Sequence, residues 1–161
     1  MTDSPFHMTA PLEVGIGCRD LARMRAFYEG VLGLQFVSEG RAPAPMAQAF
    51  RLARSATTVV RLQTSNGERI KLVAAEEPAA PAASHGDFVL DQPNASYLTF
   101  IVADVAAAIR KLGEAGISCM TGDQRVESRP GLYVAFFRDP EGNLVELVQY
   151  DDVASYRADL R

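Results

Sequence analysis

The chain of 161 residues carries only two cysteines and two histidines. Two thiols, Cys18 and Cys119, each inside an apolar-rich stretch, are too few for a disulfide framework or a cysteine metal knuckle. They read as reduced packing residues, with one bridge still open. His7 and His85 fall before the first strand and inside a Pro/Ala/Ser-rich stretch, so neither lies on a strand. No Lys/Arg cluster reaches the density needed to track a phosphate backbone, and the net charge is −4, which argues against nucleic acid as a partner. No apolar run approaches membrane-spanning length, and Met1-Thr2-Asp3-Ser4-Pro5-Phe6-His7 lacks a basic region followed by an apolar one. The expectation is a cytoplasmic protein that does not engage a membrane.

What is present is apolar content of 48%, enough for one compact domain or two small halves. The halves are written in the same order. Leu12 to Cys18 reads as a strand, after which Asp20 caps a helix with Leu21, Met24, Phe27, Tyr28, Val31 and Leu32 on one stripe and Gly33 at its end. Tyr97 to Val102 reads as a second such strand, followed by Asp104 as cap, a stripe of Val105, Ala108, Ile109 and Leu112, and a stop near Gly116. Aligning the two caps aligns the strands and, with one gap, Gly33-Leu34 with Gly116-Ile117, which marks an internal repeat. Further strands are expected at Leu34 to Glu39, Thr57 to Gln63 and Arg69 to Ala74 in the first half, the last two joined by the Ser65-Asn66-Gly67 turn. Their counterparts are Ile117 to Thr121, Leu132 to Arg138 and Leu144 to Tyr150. The reading is α+β, two βαβββ modules over 12–75 and 96–150, with an arm over 1–11, a linker over 76–95 and a tail over 151–161 able to form a short helix. Gly40 to Gln48, with Pro43 and Pro45, reads as an irregular loop.

Strand parity then sorts side chains by face. Leu12, Val14, Ile16 and Cys18 suit the helix side, leaving Glu13, Gly15 and Gly17 on the other, where the glycines leave room beside a carboxylate. By the same rule Lys71, Arg61, Gln63, Tyr97, Thr99 and Glu146 share the non-helix faces. Glu146 follows the Asp139-Pro140-Glu141-Gly142-Asn143 turn and stands among Leu144, Val145, Leu147 and Val148. A carboxylate among apolar residues requires a metal, a cation, a hydrogen-bond donor or trapped water, which makes Glu146 the leading site candidate. Arg61 could take a ligand carboxylate through its planar fork, or sit in a surface ion pair. Phe50, Tyr133 and Phe137 are candidates for an aromatic wall, with plain core as the alternative. Arg129 and Tyr133 border the Pro130-Gly131 turn, a hairpin tip or a lid.

The Asp-Pro-Glu-Gly-Asn-Leu-Val-Glu-Leu ending, the Arg25-Ala26-Phe27-Tyr28 to Leu32-Gly33-Leu34 helix exit and the paired modules together resemble the vicinal oxygen chelate superfamily. That group includes glyoxalase I, methylmalonyl-CoA epimerase, extradiol dioxygenases and the bleomycin-resistance proteins, and the resemblance spans about Leu12 to Tyr150. It implies sheets curving around a cavity, a small-molecule ligand, a homodimer and, in the enzymes, a divalent metal held by one residue from each of four strands. Carried over position by position, those four become Glu13, Lys71, Tyr97 and Glu146. Lysine has no lone pair to give, so the implied metal site is degraded or absent, and only Glu146 and Glu13 remain as metal ligands. A third arrangement is a carboxylate-tyrosinate site of Glu13, Tyr97 and Glu146 with Lys71 swung away.

Two functions follow as expectations. One is an enzyme in the lyase, isomerase or dioxygenase range, acting on a carbonyl- or phenol-bearing substrate. There Lys71 lies between the Glu13 and Glu146 carboxylates, Tyr97 completes the cluster, and one carboxylate is poised as a base. The other is a binding protein of the bleomycin-resistance type that sequesters a planar ligand without turning it over.

Overall fold

A computed structural model of the chain describes residues 8, 10–78, 80, 88–91 and 95–160. The arm over 1–11 and the linker over 76–95 fall largely outside the described residues, and with them His7 and His85. The chain divides into two compact units, residues 1–81 and 82–161.

The first unit runs β1 (Glu13–Cys18), α1 (Leu21–Ala26) continuing through a π turn (Phe27–Val31), β2 (Gln35–Ala42), α2 (Ala44–Ala49), β3 (Thr57–Gln63) and β4 (Arg69–Ala75). The second runs β5 (Tyr97–Ile101), α3 (Val105–Glu114), β6 (Val126–Arg129), β7 (Leu132–Arg138), β8 (Leu144–Tyr150) and a short α4 (Val153–Tyr156). Each unit is a four-stranded mixed sheet, in the orders β1-β4-β3-β2 and β5-β8-β7-β6. In each, the first strand lies parallel to the last, and the other pairs are antiparallel. The two βαβββ modules are therefore as expected. Among the described residues no helix is long and apolar enough to cross a membrane.

The repeat is visible at the level of single hydrogen bonds. Asp20 Oδ1 accepts from the Arg23 N–H and Asp104 Oδ1 from the Ala107 N–H, each at 2.9 Å. Each helix ends before a glycine in the left-handed region, Gly33 at φ +78° and Gly116 at φ +76°, where a side chain would be strained. The single gap needed to align the two helices has a structural form. A π turn inserts one residue into an α-helix, and the Leu32 N–H reaches back five residues to the Phe27 carbonyl at 3.1 Å. The longer first helix thus absorbs its extra residue without moving its cap or its exit glycine out of equivalence.

Packing follows the parity reading. Met24, Phe27 and Tyr28 are buried with Ile16, Val60, Leu62, Ile70 and Leu72, and Val105, Ile109 and Leu112 with Ala135, Phe137, Val145 and Leu147. Three expectations are corrected. Leu12 precedes β1 and is 68% exposed, so the strand's apolar face begins at Val14. Gly40 to Gln48 is not a loop: β2 continues to Ala42, and α2 starts with Pro45 in its first turn, where the missing N–H has no helical partner to lose. Ile117 to Thr121 makes only a single bridge, Cys119 to Phe137. The positive φ of Gly122 (+87°) turns the chain away, and the edge strand forms later, at Val126–Arg129.

The turn between β7 and β8 is built on Asp139, buried at 4% exposure. Its Oδ1 accepts from the Glu141 and Asn143 N–H groups, each at 2.9 Å, and the Asn143 amide donates to both oxygens at 3.1 and 2.9 Å. The Asp139 N–H closes the loop on the Asn143 carbonyl at 2.9 Å, and the Arg138 guanidinium donates to the Gly142 carbonyl at 3.0 Å. Replacing Asp139 by Ala strands two backbone donors and an amide, an expected loss of about 3 kcal/mol. Urea unfolding checks this, and a midpoint equivalent to less than about 1 kcal/mol below wild type would show that the turn holds without its carboxylate.

Candidate functional site

In the second unit the sheet face turned away from α3 forms an open trough of about 640 Å³. Register fixes what faces it. Residues paired across strands point to the same side, so Thr99 on β5 and Phe136 on β7 flank Glu146 on β8. The Thr99 hydroxyl donates to Glu146 Oε2 at 2.6 Å. Ile101, Val134 and Val148 extend the floor, and Tyr97, half exposed, meets Phe136 edge to face with centroids 5.5 Å apart. At the far end Tyr156 from α4 stacks on Tyr150 at 4.2 Å and 13°, adding an aromatic wall from the C-terminal tail. Burial, then the adjoining Tyr156 phenol, push the Tyr150 phenol above its ordinary range, so Tyr150 stays a neutral hydrogen-bonding group at pH 7.

Two of the aromatics named from the sequence lie elsewhere in this unit. Phe137 is fully buried on the helix side, and Tyr133 shares that side, with the Arg125 guanidinium 3.6 Å above its ring. The same Arg125 donates to Gln149 Oε1 at 3.0 Å, and Gln149 stands opposite Tyr133 in the ladder. The trough's aromatic is therefore Phe136. The signal was available in outline: the Asp139 turn sets β7 against β8 so that Phe136, not its neighbour, pairs with Glu146. Cys119 contributes a single bridge to β7, and burial, followed by Asp123, raises its thiol above the ordinary value. Cys18 is buried and Cys119 partly buried.

In the first unit the face turned away from α1 is charged. Glu13 lies opposite Arg69, and Gly15 opposite Lys71. Lys71 Nζ approaches Glu13 Oε2 at 3.7 Å and Arg69 Nη1 approaches Oε1 at 3.5 Å, while Arg69 Nε donates to Gln63 Oε1 at 3.0 Å. Arg61 stands opposite Lys71 on the same face. Phe50 follows α2 and is 68% exposed.

Tested against a divalent metal, these donors do not fit. Glu13 is taken by two cations, Lys71 offers no lone pair, and Glu146 is joined by a threonine hydroxyl rather than by imidazole or a second carboxylate. Among the described residues no three His, Cys, Asp or Glu side chains are grouped to hold a metal ion.

The Lys71 and Glu13 side chains are each about one third exposed, so their ion pair is a solvent-screened one. Lys71→Met is expected to change stability by no more than about 1 kcal/mol, because Arg69 continues to neutralise Glu13. Thermal and urea unfolding measure it, and a loss of about 3 kcal/mol would reveal a desolvated pair instead.

Comparison with known proteins gives a consistent result. The family model of the Glyoxalase/Bleomycin resistance protein/Dioxygenase superfamily matches residues 8–147. Among solved structures, a glyoxalase family protein from Bacillus cereus superposes with a TM-score of 0.76 at 19% identity, covering 93% of this chain and 98% of that one. A glyoxylase/bleomycin resistance protein/dioxygenase domain from Frankia sp. EAN1pec gives 0.66 at 16% identity, covering 91% and 95%. A glyoxalase family protein from Enterococcus faecalis gives 0.60 at 18% identity, covering 89% and 98%. A comparison with curated proteins finds no match. At these identities the structures speak for the fold, and the family model, spanning nearly the whole sequence, settles descent: the chain belongs to the glyoxalase/bleomycin resistance protein/dioxygenase superfamily.

Proposed function

We propose that this protein binds a small organic molecule with a planar, largely apolar body in the trough of the second unit, and that Glu146 receives the ligand's hydrogen-bond donor. One observation carries the reading. Glu146 is a carboxylate on an apolar sheet face, flanked by Phe136 and Val148, and Thr99 supplies a single neutral donor to one of its two oxygens. An ionised carboxylate has about four lone-pair sites, so most of its accepting capacity faces the trough. A phenol, enol or N–H group on a flat ligand would complete it, while Phe136, Tyr97 and the Tyr150–Tyr156 stack offer ring faces and edges to the ligand body. This is the sequestering reading, closest to the bleomycin-resistance branch of the superfamily.

A second reading is favoured by the same carboxylate. Glu146 Oε1 accepts no hydrogen bond from a described residue, so a ligand with an acidic C–H or O–H could deliver its proton there. Isomerase and lyase reactions of the proton-transfer kind begin with such a transfer, the carboxylate taking the proton and the electron pair of the broken C–H bond moving onto the substrate's own adjoining carbonyl oxygen. Dioxygenase chemistry needs a redox-active metal, and the donor set does not suit one.

A thermal-shift screen of planar phenols and ring carbonyls tests the binding. Hits raise the melting temperature by mass action. Glu146→Gln is expected to weaken phenolic hits ten- to a hundredfold, the worth of a hydrogen bond to a charged group, and to spare hits without a donor. Phe136→Ala weakens both kinds. Wild-type affinity of every hit for Glu146→Gln would remove the carboxylate from the site. Deuterium exchange of a bound ligand's acidic C–H, followed by NMR, separates the readings: exchange abolished by Glu146→Gln marks a base, and its absence from every hit marks a binder.

A further inference from the structure

The open face of the first sheet holds a charge arrangement that its own side chains leave unbalanced. Register places Gly15, Lys71, Arg61 and Ser38 in one row across the four strands. The row before it is Glu13, Arg69, Gln63 and Gln35, and the row after it is Gly17, Val73, Val59 and Gly40. Cross-strand partners bring their Cβ atoms within about 5 Å, and like charges set directly opposite weaken a sheet. Lys71 and Arg61 are such a pair. Among the described residues the three rows hold one carboxylate, Glu13, and it lies in the neighbouring row, shared between Arg69 at 3.5 Å and Lys71 at 3.7 Å. Arg69 is held a second time by Gln63. Arg61, half-buried on β3, makes no hydrogen bond or ion pair with any described residue.

The surroundings of this row are vacant as well as cationic. A Cβ built on Gly15, Gly17 or Gly40 would meet no atom within 4 Å. Gly15 and Gly17 adjoin Lys71 and Val73, and Gly40 adjoins Val59, so bare backbone borders Lys71 on the β1 side, and the small Ser38 lies beside Arg61 on β2. A sheet with all four strands paired gains nothing from facing two cations across a ladder. An oxyanion between them would convert the repulsion into two attractions, the guanidinium fork taking two oxygens and the ammonium a third contact. Three cations in one patch on a chain of net charge −4 are too few to track a polyanion, and they suit a single small anionic group.

We propose that the Lys71–Arg61 row of the first sheet binds the oxyanion group of a small molecule, a carboxylate or a phosphate, with Arg69, Glu13 and Gln63 fixing the position of the row. The site stands on the first unit alone and does not depend on the trough assigned above.

Titration calorimetry and thermal shift of the full chain at low ionic strength, with inorganic phosphate and with succinate as separate probes, test it. Saturable binding of either is expected, and which of them binds assigns the oxyanion chemistry. Arg61→Gln and Lys71→Gln should each lower that affinity at least tenfold, while Arg110→Gln, an exposed position on α3, leaves it unchanged. Unliganded Arg61→Gln should melt at the wild-type temperature or above, because the substitution removes a like-charge pair. Failure of both probes to saturate, undiminished affinity in Arg61→Gln, or a lower melting temperature of that variant without ligand would each overturn the proposal.

Discussion

The second unit's site depends on one buried carboxylate that is not part of it. Asp139 gathers two backbone N–H groups and the Asn143 amide, and in doing so fixes where β7 ends and β8 begins. Side chains alternate with a period of two, so a slip of one residue in that turn would carry Glu146 from the open face to the helix side and bring Val145 or Leu147 out. With the turn closed, Phe136 is locked opposite Glu146, and the parallel pairing of β5 then brings Thr99 to the same carboxylate from the other side. Specificity of register, not strength of any contact to a ligand, is what this region supplies.

The two units share one plan and diverge on one face. Helix caps, exit glycines and strand order coincide, down to an extra residue taken up as a π turn. The helix-side faces remain alike in kind, mostly aliphatic and aromatic, because each must bury against a helix. No such constraint acts on the opposite faces. One carries Glu13, Lys71, Arg61 and Arg69, the other Thr99, Phe136, Val148 and a single glutamate. Duplicated modules fix the scaffold and leave the open faces to differ, and both candidate sites lie on those faces.

What could be read in the sequence is what local chemistry dictates. Asp20 and Asp104 announce helix starts, Gly33 and Gly116 their ends, and alternation alone placed Glu13, Lys71, Arg61, Thr99 and Glu146 on open faces. Errors came where a decision rests on pairing between strands. Tyr133 and Phe137 are as aromatic as Phe136, and composition cannot separate neighbours that point in opposite directions; only the β7–β8 register does. The stretch Ile117 to Thr121 has strand-like residues, yet Gly122 turns the chain before a ladder can form, and β6 arises from Val126–Arg129, an exposed edge with little apolar signal. The helix Ala44–Ala49 was hidden by prolines that break helices in the interior but are tolerated in the first turn.

The two open-face glutamates show how compensation decides chemistry. Glu13 is met by a guanidinium and an ammonium, so its negative charge is answered twice and its lone pairs are committed to cations. Such a carboxylate orients its partners. Glu146 is met by one neutral hydroxyl. Thr99 steadies one oxygen without cancelling the charge, and the other oxygen is left to any further donor that enters the trough. The first sheet therefore presents positive charge with its one carboxylate already spent, and the second presents a carboxylate with accepting capacity to spare. On the readings proposed above, a ligand of the first is an anion and a ligand of the second brings a proton.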